Sequence, residues 1–330
     1  MRDIYFAKEY GQLYERIEDG ESILYEYVGK AGKINHLFIL RKIPSSTNSE
    51  PWYDIVTPYG YGGPIIEEIF DNHTKDELLR EFEDEFGKYC SEHRIVSEFV
   101  RFHPIIDNAS DFTSIYNSKC IRKTLGTNLT LDDPVAEEFS KGCRKNIRRA
   151  MSKGVSWRVT AQPSDISVFK TIYYSTMDRN GAKDYYYFDD RYFDDCQRFF
   201  RENLLFVEAI FEGKTIAAGL YFVFKDTIHI HLSGTLSEYL HLSPAYILRY
   251  ATTLWGKENG YRLIHHGGGR SNADNDNLFL FKKQFASNTE FDFYVGQRIW
   301  NTDAYRALCL ERGITEDVQF FPAYRADIGN

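Results

Sequence analysis

Three strand-like segments follow one another between residues 204 and 232, and this run constrains the fold more than any other feature. The segments are Leu204–Phe211, Thr215–Phe224 and Thr227–Leu232. They are rich in β-branched and aromatic residues, and turn-forming pairs separate them, at Glu212-Gly213 and Lys225-Asp226. Connections this short join antiparallel neighbours. The sequence therefore predicts an antiparallel meander inside a larger sheet.

Helices and further strands surround this meander. Before it we expect a strand at 155–160 and two helices, and after it a helix ending near Trp255, a strand at 261–266, a short helix at 276–285 and a strand at 291–295. The first half of the chain predicts strands at 23–28, 34–43, 53–56 and 95–102 and a helix that opens with the capping box Thr74-Lys75-Asp76-Glu77. This order predicts an α+β protein with mixed, mainly antiparallel sheets flanked by helices.

The length of 330 residues indicates two domains, because single hydrophobic cores stop growing near roughly 250 to 300 residues. We expect a first domain at 1–131 and a basic linker helix at 132–154. A second domain would fill 155–330, including a helical tail at its carboxyl end.

The linker helix is predicted to begin at Asp132-Asp133-Pro134, where an acidic cap precedes a first-turn proline. At 100° per residue, its apolar residues share one side and its basic residues the other. The basic side is either a solvated face or a phosphate-binding surface. In the second case Arg144, Lys145 and Arg148 are the candidate ligands, since arginine forms bidentate contacts with phosphate.

Charge and hydropathy exclude several classes of protein. The formal net charge of -8 argues against a DNA-binding protein, because phosphate binding depends on Lys and Arg. The apolar stretches are too short to span a bilayer, and the first residues lack the apolar core of a secretory signal. The 5 scattered cysteines fit neither a disulfide framework nor a zinc site. We expect a cytoplasmic protein.

Five motifs resemble, in the same order, landmarks of the Fem family over roughly residues 20–297. They are Thr57-Pro58-Tyr59-Gly60-Tyr61-Gly62-Gly63-Pro64, Arg101-Phe102-His103-Pro104, Arg144-Lys145-Asn146-Ile147-Arg148-Arg149-Ala150, His265-His266-Gly267-Gly268-Gly269 and Phe281-Lys282. Fem proteins carry two acyltransferase domains of the GNAT type and transfer aminoacyl groups from tRNA to peptidoglycan precursors. The resemblance implies two GNAT-type domains, with the acceptor held by the first and the acyl donor by the second.

The resemblance also implies roles for individual residues. Lys282 would stabilise the oxyanion of acyl transfer or hold a donor phosphate, whereas the alternative is a surface lysine. Apart from the resemblance, His265 and His266 point to opposite faces of a strand, so at most one faces a given cleft. Either could be a general base, with His266 as the candidate, and the alternative is a hydrogen-bonded core histidine. The residues expected to bind substrate are Tyr59, Gly60, Tyr61, Gly62, Gly63, Arg101, Arg144, Arg148, Gly267, Gly268, Arg270 and Phe281.

The acyl donor stays open between aminoacyl-tRNA and acyl-CoA, and we expect no tightly bound cofactor. GNAT enzymes hold the CoA pyrophosphate on a glycine-rich loop, yet Ser237 to Ala245 contains no glycine. A helix capped by Ser243 would still offer N–H donors, so Ser243 and Tyr246 are the candidate donor contacts. His229 and His231 have metal-ligand spacing without an evident third ligand, and we expect no metal there.

Three functions remain. The first is a Fem-like N-acyltransferase acting on an amine of a cell-wall precursor, with tRNA as a partner if the donor is aminoacylated. The second is an acyl-CoA-dependent N-acetyltransferase acting on a sugar amine or small metabolite. The third is a catalytically silent double-GNAT protein that binds a ligand.

Overall fold

The computed structural model describes residues 1–45, 50–273, 275–314 and 318–326. Along this part of the chain the helices are α1 (Lys8–Tyr14), α2 (Lys75–Glu92), α3 (Pro134–Glu138), α4 (Lys141–Ser152), α5 (Ser167–Arg179), α6 (Asp190–Phe200), α7 (Pro244–Glu258), α8 (Asn277–Lys283) and α9 (Thr302–Glu311). The strands are β1 (Gly20–Val28), β2 (Gly32–Ile43), β3 (Trp52–Val56), β4 (Gly63–Ile69), β5 (Ile95–Arg101), β6 (Asn117–Asn128), β7 (Ser156–Ala161), β8 (Leu204–Phe211), β9 (Lys214–Phe224), β10 (Thr227–Thr235), β11 (Leu263–Gly267) and β12 (Thr289–Ile299). No helix in these ranges has both the length and the apolar content needed to cross a membrane.

The chain divides into two compact units. Unit 1 consists of Met1–Ile121 together with Asp292–Asn330, and unit 2 consists of Arg122–Phe291. This division differs from the expected one, in which everything after residue 154 formed the second domain. The physical reason is that β12 pairs antiparallel with β5, from Val295 opposite Arg101 to Ile299 opposite Ser97, so the end of the chain returns to the first sheet.

The sheet of unit 1 has the order β1-β2-β3-β5-β12, and β4 also pairs with β2. The β3–β5 pair is parallel and the other pairs are antiparallel. Helix α2 packs its apolar stripe on this sheet, with Phe82 and Phe86 fully buried. Its capping box forms as predicted, because Glu77 N donates to Thr74 Oγ1 and Thr74 N donates to a Glu77 carboxylate oxygen.

The sheet of unit 2 has the order β6-β11-β10-β9-β8-β7. The predicted meander is confirmed, since β8, β9 and β10 pair antiparallel in succession, and only the β10–β11 pair of this sheet is parallel in the described residues. Helices α4 and α7 share one core with the strands, which includes Ile147, Ile247 and Leu248. The predicted α+β class, with two mixed and mainly antiparallel sheets, is confirmed.

The continuous linker helix was wrong, because residues 132–154 contain two helices. The chain is extended at Phe139, where ψ is 132°, and α4 begins afresh with Ser140 Oγ accepting from Cys143 N at 3.0 Å. Arg144 donates to the carbonyl oxygens of Ala136 (2.7 Å) and Phe139, which α3 leaves without helical partners. The serine cap and this arginine stabilise the break.

Candidate active site

The glycine loop, Gly267-Gly268-Gly269, follows β11 and packs closely against Asp276. Gly267 has a φ of 72°, a left-handed conformation that favours glycine. A Cβ added to Gly269 would lie 2.6 Å from Asp276 Oδ1, which is too close for any side chain. The geometry of the loop therefore favours glycine at Gly267 and requires it at Gly269.

Asp276 fastens this loop to helix α8. Its Oδ1 accepts from Phe279 N at 2.8 Å, which caps the helix, and its Oδ2 accepts from Arg270 N at 3.0 Å and Ser271 N at 2.9 Å. Burial opposes ionisation of this carboxyl, but the hydrogen bonds from Phe279, Ser271 and Arg270 hold its pKa below the ordinary value. Arg270 thus contributes its backbone to the loop, while its side chain is exposed.

Lys282 lies in the last turn of α8 and points back to the loop. Its Nζ donates to the Gly268 carbonyl oxygen at 2.6 Å, and its side chain is half-buried. Burial lowers the pKa of Lys282 to about 7, the charges of Arg249 and Arg122 lower it as well, and Asp276 opposes them. The residue is therefore not an ordinary surface lysine, and near neutral pH it exists as both ammonium and amine.

The two histidines of β11 are buried and bind threonines of β6. His265 Nε2 lies 3.0 Å from Thr124 Oγ1, and His266 Nε2 lies 2.8 Å from Thr127 Oγ1. The Thr127 hydroxyl donates its only proton to the Phe285 carbonyl oxygen at 2.7 Å, so its oxygen accepts from His266 Nε2.

This hydrogen bond fixes the tautomer of His266. Burial lowers its pKa well below the ordinary value, and the charges of Arg249 and Lys282 lower it further, so the ring is neutral. With the proton on Nε2, Nδ1 carries a lone pair, and this buried atom has no hydrogen-bond partner among the described residues. His266 therefore offers an acceptor beside Lys282.

Aromatic packing joins α7 to α8 next to this lysine. The Phe281 ring lies 5.3 Å from that of Tyr246 and 5.2 Å from that of Phe285, and Tyr246 Oη donates to Gln284 Oε1 at 3.2 Å. The structure thus brings Tyr246 and Phe281 to the same side of unit 2 as Lys282. Phe281 contributes packing here.

The start of α7 differs from the expected cap. Ser243 holds the N-cap position as predicted, but it has a φ of 55° and its side chain makes no cap hydrogen bond. Residues Ser237–Leu242 form a short 3-10 helix, which leads directly into Pro244 at the first position of α7. The stretch before α7 is thus a helical connection without glycine.

Arg249 and Arg122 were missed by the sequence interpretation. Arg249 sits on the buried side of α7, and Nη1 donates to Tyr221 Oη at 2.6 Å. Arg122 Nη1 donates to the Gly269 carbonyl oxygen at 2.7 Å and so supports the glycine loop. The available signal was a lone arginine among apolar neighbours in the segment from Ala245 to Ala251.

The predicted substrate loop of unit 1 is closely packed against its own neighbours. Gly60 has a φ of 98°, and an added Cβ would lie 2.7 Å from the Tyr5 ring. The buried Tyr61 ring packs edge-to-face on Tyr5 at 5.3 Å. Tyr59 is half-buried, and its carbonyl oxygen accepts from Tyr10 Oη at 2.8 Å.

The rest of this loop is held by hydrogen bonds. Asn108 Nδ2 donates to the Gly62 carbonyl oxygen at 2.9 Å, and Gly63 has a φ of 86°. Arg101 Nη1 donates to the Thr57 carbonyl oxygen at 2.9 Å. These glycines and Arg101 stabilise the loop within unit 1. Their proposed roles in substrate binding stay predictions.

The two basic candidates on α4 have different environments. Arg144 donates to the backbone carbonyl oxygens at the end of α3, as described above. Arg148 is exposed, with Lys145 one turn before it on the same face. Of the two, only Arg148 is placed to meet a ligand from solvent.

His229 and His231 each contact another side chain. His231 Nε2 lies 2.5 Å from Tyr192 Oη, and burial lowers the pKa of His231 to about 3. The His229 ring packs edge-to-face on that of His265 at 5.8 Å.

Comparison with known proteins identifies the domain that carries this geometry. Residues 138–275 match the family model described as "Acetyltransferase (GNAT) domain". The chain therefore contains a domain of the GNAT acetyltransferase type, within a Fem-like fold. The catalytic candidate Lys282 lies just beyond the matched residues of the GNAT domain.

Solved structures show that this fold extends along most of the chain. FemX matches with a TM-score of 0.66 at 13% sequence identity, covering 92% of this chain and 94% of FemX. L-PGS from Bacillus licheniformis matches with a TM-score of 0.56 at 12% identity, covering 94% of this chain and 98% of that one. The C-terminal domain of a putative lysylphosphatidylglycerol synthetase from Agrobacterium fabrum has a TM-score of 0.55 at 12% identity, covering 94% and 93%. No curated protein matches the sequence.

Proposed function

We propose that this GNAT acyltransferase transfers an aminoacyl or related acyl group to an amine of a cell-envelope precursor, with Lys282 as the residue that stabilises the transition state. The observation that carries the proposal is the Lys282 Nζ atom, half-buried and 2.6 Å from the Gly268 carbonyl oxygen. The names of two solved structures with this fold, FemX and a lysylphosphatidylglycerol synthetase, support aminoacyl transfer as the reaction class.

In this reaction the acceptor nitrogen attacks the acyl carbonyl carbon, and the C–N bond forms as negative charge collects on the carbonyl oxygen. The C–O or C–S bond to the donor then breaks, and the proton of the amine passes to the departing oxygen or sulfur. A cation aimed at the developing oxyanion is usually the largest catalytic contribution. Lys282, in its ammonium form, supplies that cation from a partly desolvated position.

His266 is suited to orienting the acceptor amine. Its pKa is too low for it to be charged near pH 7, so it does not compete with Lys282 for the oxyanion. Its buried Nδ1 lone pair accepts a hydrogen bond from an N–H group and so orients the nitrogen for attack. We therefore assign His266 a positioning role.

For the donor we favour aminoacyl-tRNA over acyl-CoA. The segment before α7 is a 3-10 helix without glycine, whereas the CoA pyrophosphate is ordinarily held by a glycine-rich loop. The exposed Arg148 and Lys145 on α4 fit a donor that carries many phosphates.

The direct test offers the purified chain each donor in turn, with a peptide carrying a free lysine amine as the acceptor. We expect mass spectrometry to detect an added aminoacyl group with aminoacyl-tRNA and no added acetyl group with acetyl-CoA. Transfer from acetyl-CoA alone would favour the second candidate function, the acyl-CoA-dependent N-acetyltransferase. Absence of transfer from both donors would contradict the proposal.

A further inference from the structure

Arg249 is buried and has no acidic partner among the described residues. Its side chain lies on α7 with 5% of the residue exposed, and Nη1 donates to Tyr221 Oη at 2.6 Å. The Nε atom is buried and has no hydrogen-bond partner, and no carboxylate in the described part of the chain forms an ion pair with this guanidinium.

This arrangement is unusual because a guanidinium stays charged at every physiological pH and carries five N–H donors. Buried charges in proteins are ordinarily paired, since an unpaired charge keeps the full cost of desolvation. The Tyr221 hydroxyl accepts a hydrogen bond from one of these five N–H groups, but it carries no negative charge. The described residues therefore leave the charge of Arg249 uncompensated, and a bound anion would compensate it.

The position of Arg249 beside Lys282 indicates where that anion would lie. Tyr246, three residues earlier on the same side of α7, packs on Phe281, the neighbour of Lys282. The charge of Arg249 also lowers the pKa of both Lys282 and His266. These two side chains and the arginine thus face one locality of unit 2.

The charges around this locality are mostly positive. Besides Lys282 and Arg249 there is a third cation, Arg122, whose charge also lowers the pKa of Lys282. Asp276 opposes them, but its carboxylate already accepts from the backbone of the glycine loop and of α8. An anion bound here would be attracted by Arg249 and by the ammonium form of Lys282.

We propose that Arg249 and Lys282 flank a binding subsite for an anionic group, a carboxylate or a phosphate. The planar fork of Arg249 matches both groups in a bidentate manner. That this anion belongs to the reacting substrate rests on the proposed function. The binding of an anion at this subsite does not depend on it. The substrate class is accordingly an acidic one, in which the negative group lies close to the reacting carbonyl or amine.

The subsite is tested by thermal denaturation of the full chain with inorganic phosphate or acetate as the probe, at constant ionic strength with chloride as the reference. We expect one probe to raise the Tm of the wild type in a saturable way. A phosphate effect indicates a phosphate-bearing substrate, and an acetate effect a carboxylate. Arg249→Met is expected to abolish the shift. Arg262→Met removes an exposed arginine whose partner is Asp226 at 3.7 Å, and it should keep the shift.

The variants also separate binding from a structural role. Without added anion, Arg249→Met is expected to have a Tm equal to or above that of the wild type, because it removes a buried charge and no ion pair. A lower Tm together with an unchanged anion shift would overturn the proposal, as would a wild type that responds to neither probe. Arg249→Lys keeps the charge without the fork and should bind about tenfold more weakly. Since these readouts need no acyl donor, they can fail independently of acyl transfer at Lys282.

Discussion

Lys282 Nζ lies 2.6 Å from the carbonyl oxygen of Gly268, and this contact fixes an ammonium group on a loop whose own shape depends on glycine. The lysine comes from α8 and the carbonyl from the end of β11. Asp276 connects the two elements through its hydrogen bonds to Phe279, Arg270 and Ser271. The position of the ammonium is therefore determined by a loop and a helix that are fastened together.

Replacement of Lys282 by Met is expected to lower kcat by about 10²- to 10³-fold, because the cation that meets the oxyanion is lost. Single-turnover kinetics measures this loss, and circular dichroism checks the fold. Lys283→Met is the matched control, since Lys283 is adjacent in sequence and pairs with Glu290 at the surface. Equal activity losses in both variants would rule out the specific role of Lys282.

The rate of transfer is expected to fall as the pH rises through about 7. The pKa of Lys282 is lowered to about 7, so the ammonium is present below that pH and is lost above it. Burial is the main cause of this low pKa; the charges of Arg249 and Arg122 lower it further, and that of Asp276 raises it. In Lys282→Arg the cation persists at high pH. The fall in rate above about pH 7, the descending limb of the pH-rate profile, should then disappear. A fall that persists in this variant would come from another titrating group.

Asp276→Asn is expected to move that descending limb to lower pH. The negative charge of Asp276 raises the pKa of Lys282. An asparagine keeps one oxygen to cap Phe279 N, but it removes the charge and the oxygen that accepts from Arg270 N and Ser271 N. Asp276→Ala should in addition destabilise the protein by about 1 kcal/mol through loss of the cap of α8. Urea denaturation and pH-rate profiles of the two variants measure these effects. An unchanged limb in Asp276→Asn would show that its charge does not reach Lys282.

Gly269→Ala is expected to displace the glycine loop and reduce both the Tm and the activity. The added methyl group would lie 2.6 Å from Asp276 Oδ1 and 3.1 Å from Phe279 Cβ. Gly142→Ala serves as the control, because only Ser140 Oγ lies within 4 Å, at 3.9 Å. That change on helix α4 should stabilise the protein by about 0.5 to 1 kcal/mol. Differential scanning calorimetry compares the two.

We expect Arg144 to have a structural role and Arg148 to bind the donor. Arg144→Gln should lower the free energy of unfolding by about 1 to 3 kcal/mol, because carbonyl oxygens at the end of α3 lose a charged donor. Arg148→Gln should leave the Tm unchanged and weaken binding of tRNA, with a reduced salt dependence. Denaturation and filter-binding measurements test the pair. Tight, salt-dependent tRNA binding by Arg148→Gln would place the tRNA contact elsewhere.

Local patterns predicted most of the secondary structure. The meander and the capping box of α2 were correct because turn pairs and cap residues act over a few positions. The single linker helix was wrong because its break at Phe139 depends on Arg144 reaching back to α3. Periodicity alone does not report such a contact.

The candidate site was predicted in part. Motif order pointed to Lys282, Gly268 and His266, which the structure brings close together in unit 2. Arg249 was missed because its importance arises from burial without an acidic partner among the described residues. That property depends on what lies across the core, at Tyr221, and no local pattern encodes it.

The chain order of the two units has a consequence for biosynthesis. Unit 2 ends at Phe291, whereas unit 1 still needs Asp292 and the residues after it, including most of β12. A ribosome therefore releases every residue of the GNAT unit before it releases the strand that pairs with β5. A nascent chain halted once Phe291 has left the ribosome, with the residues after it still inside, should already carry a protease-resistant second unit, while β5 in its first unit lacks its β12 partner.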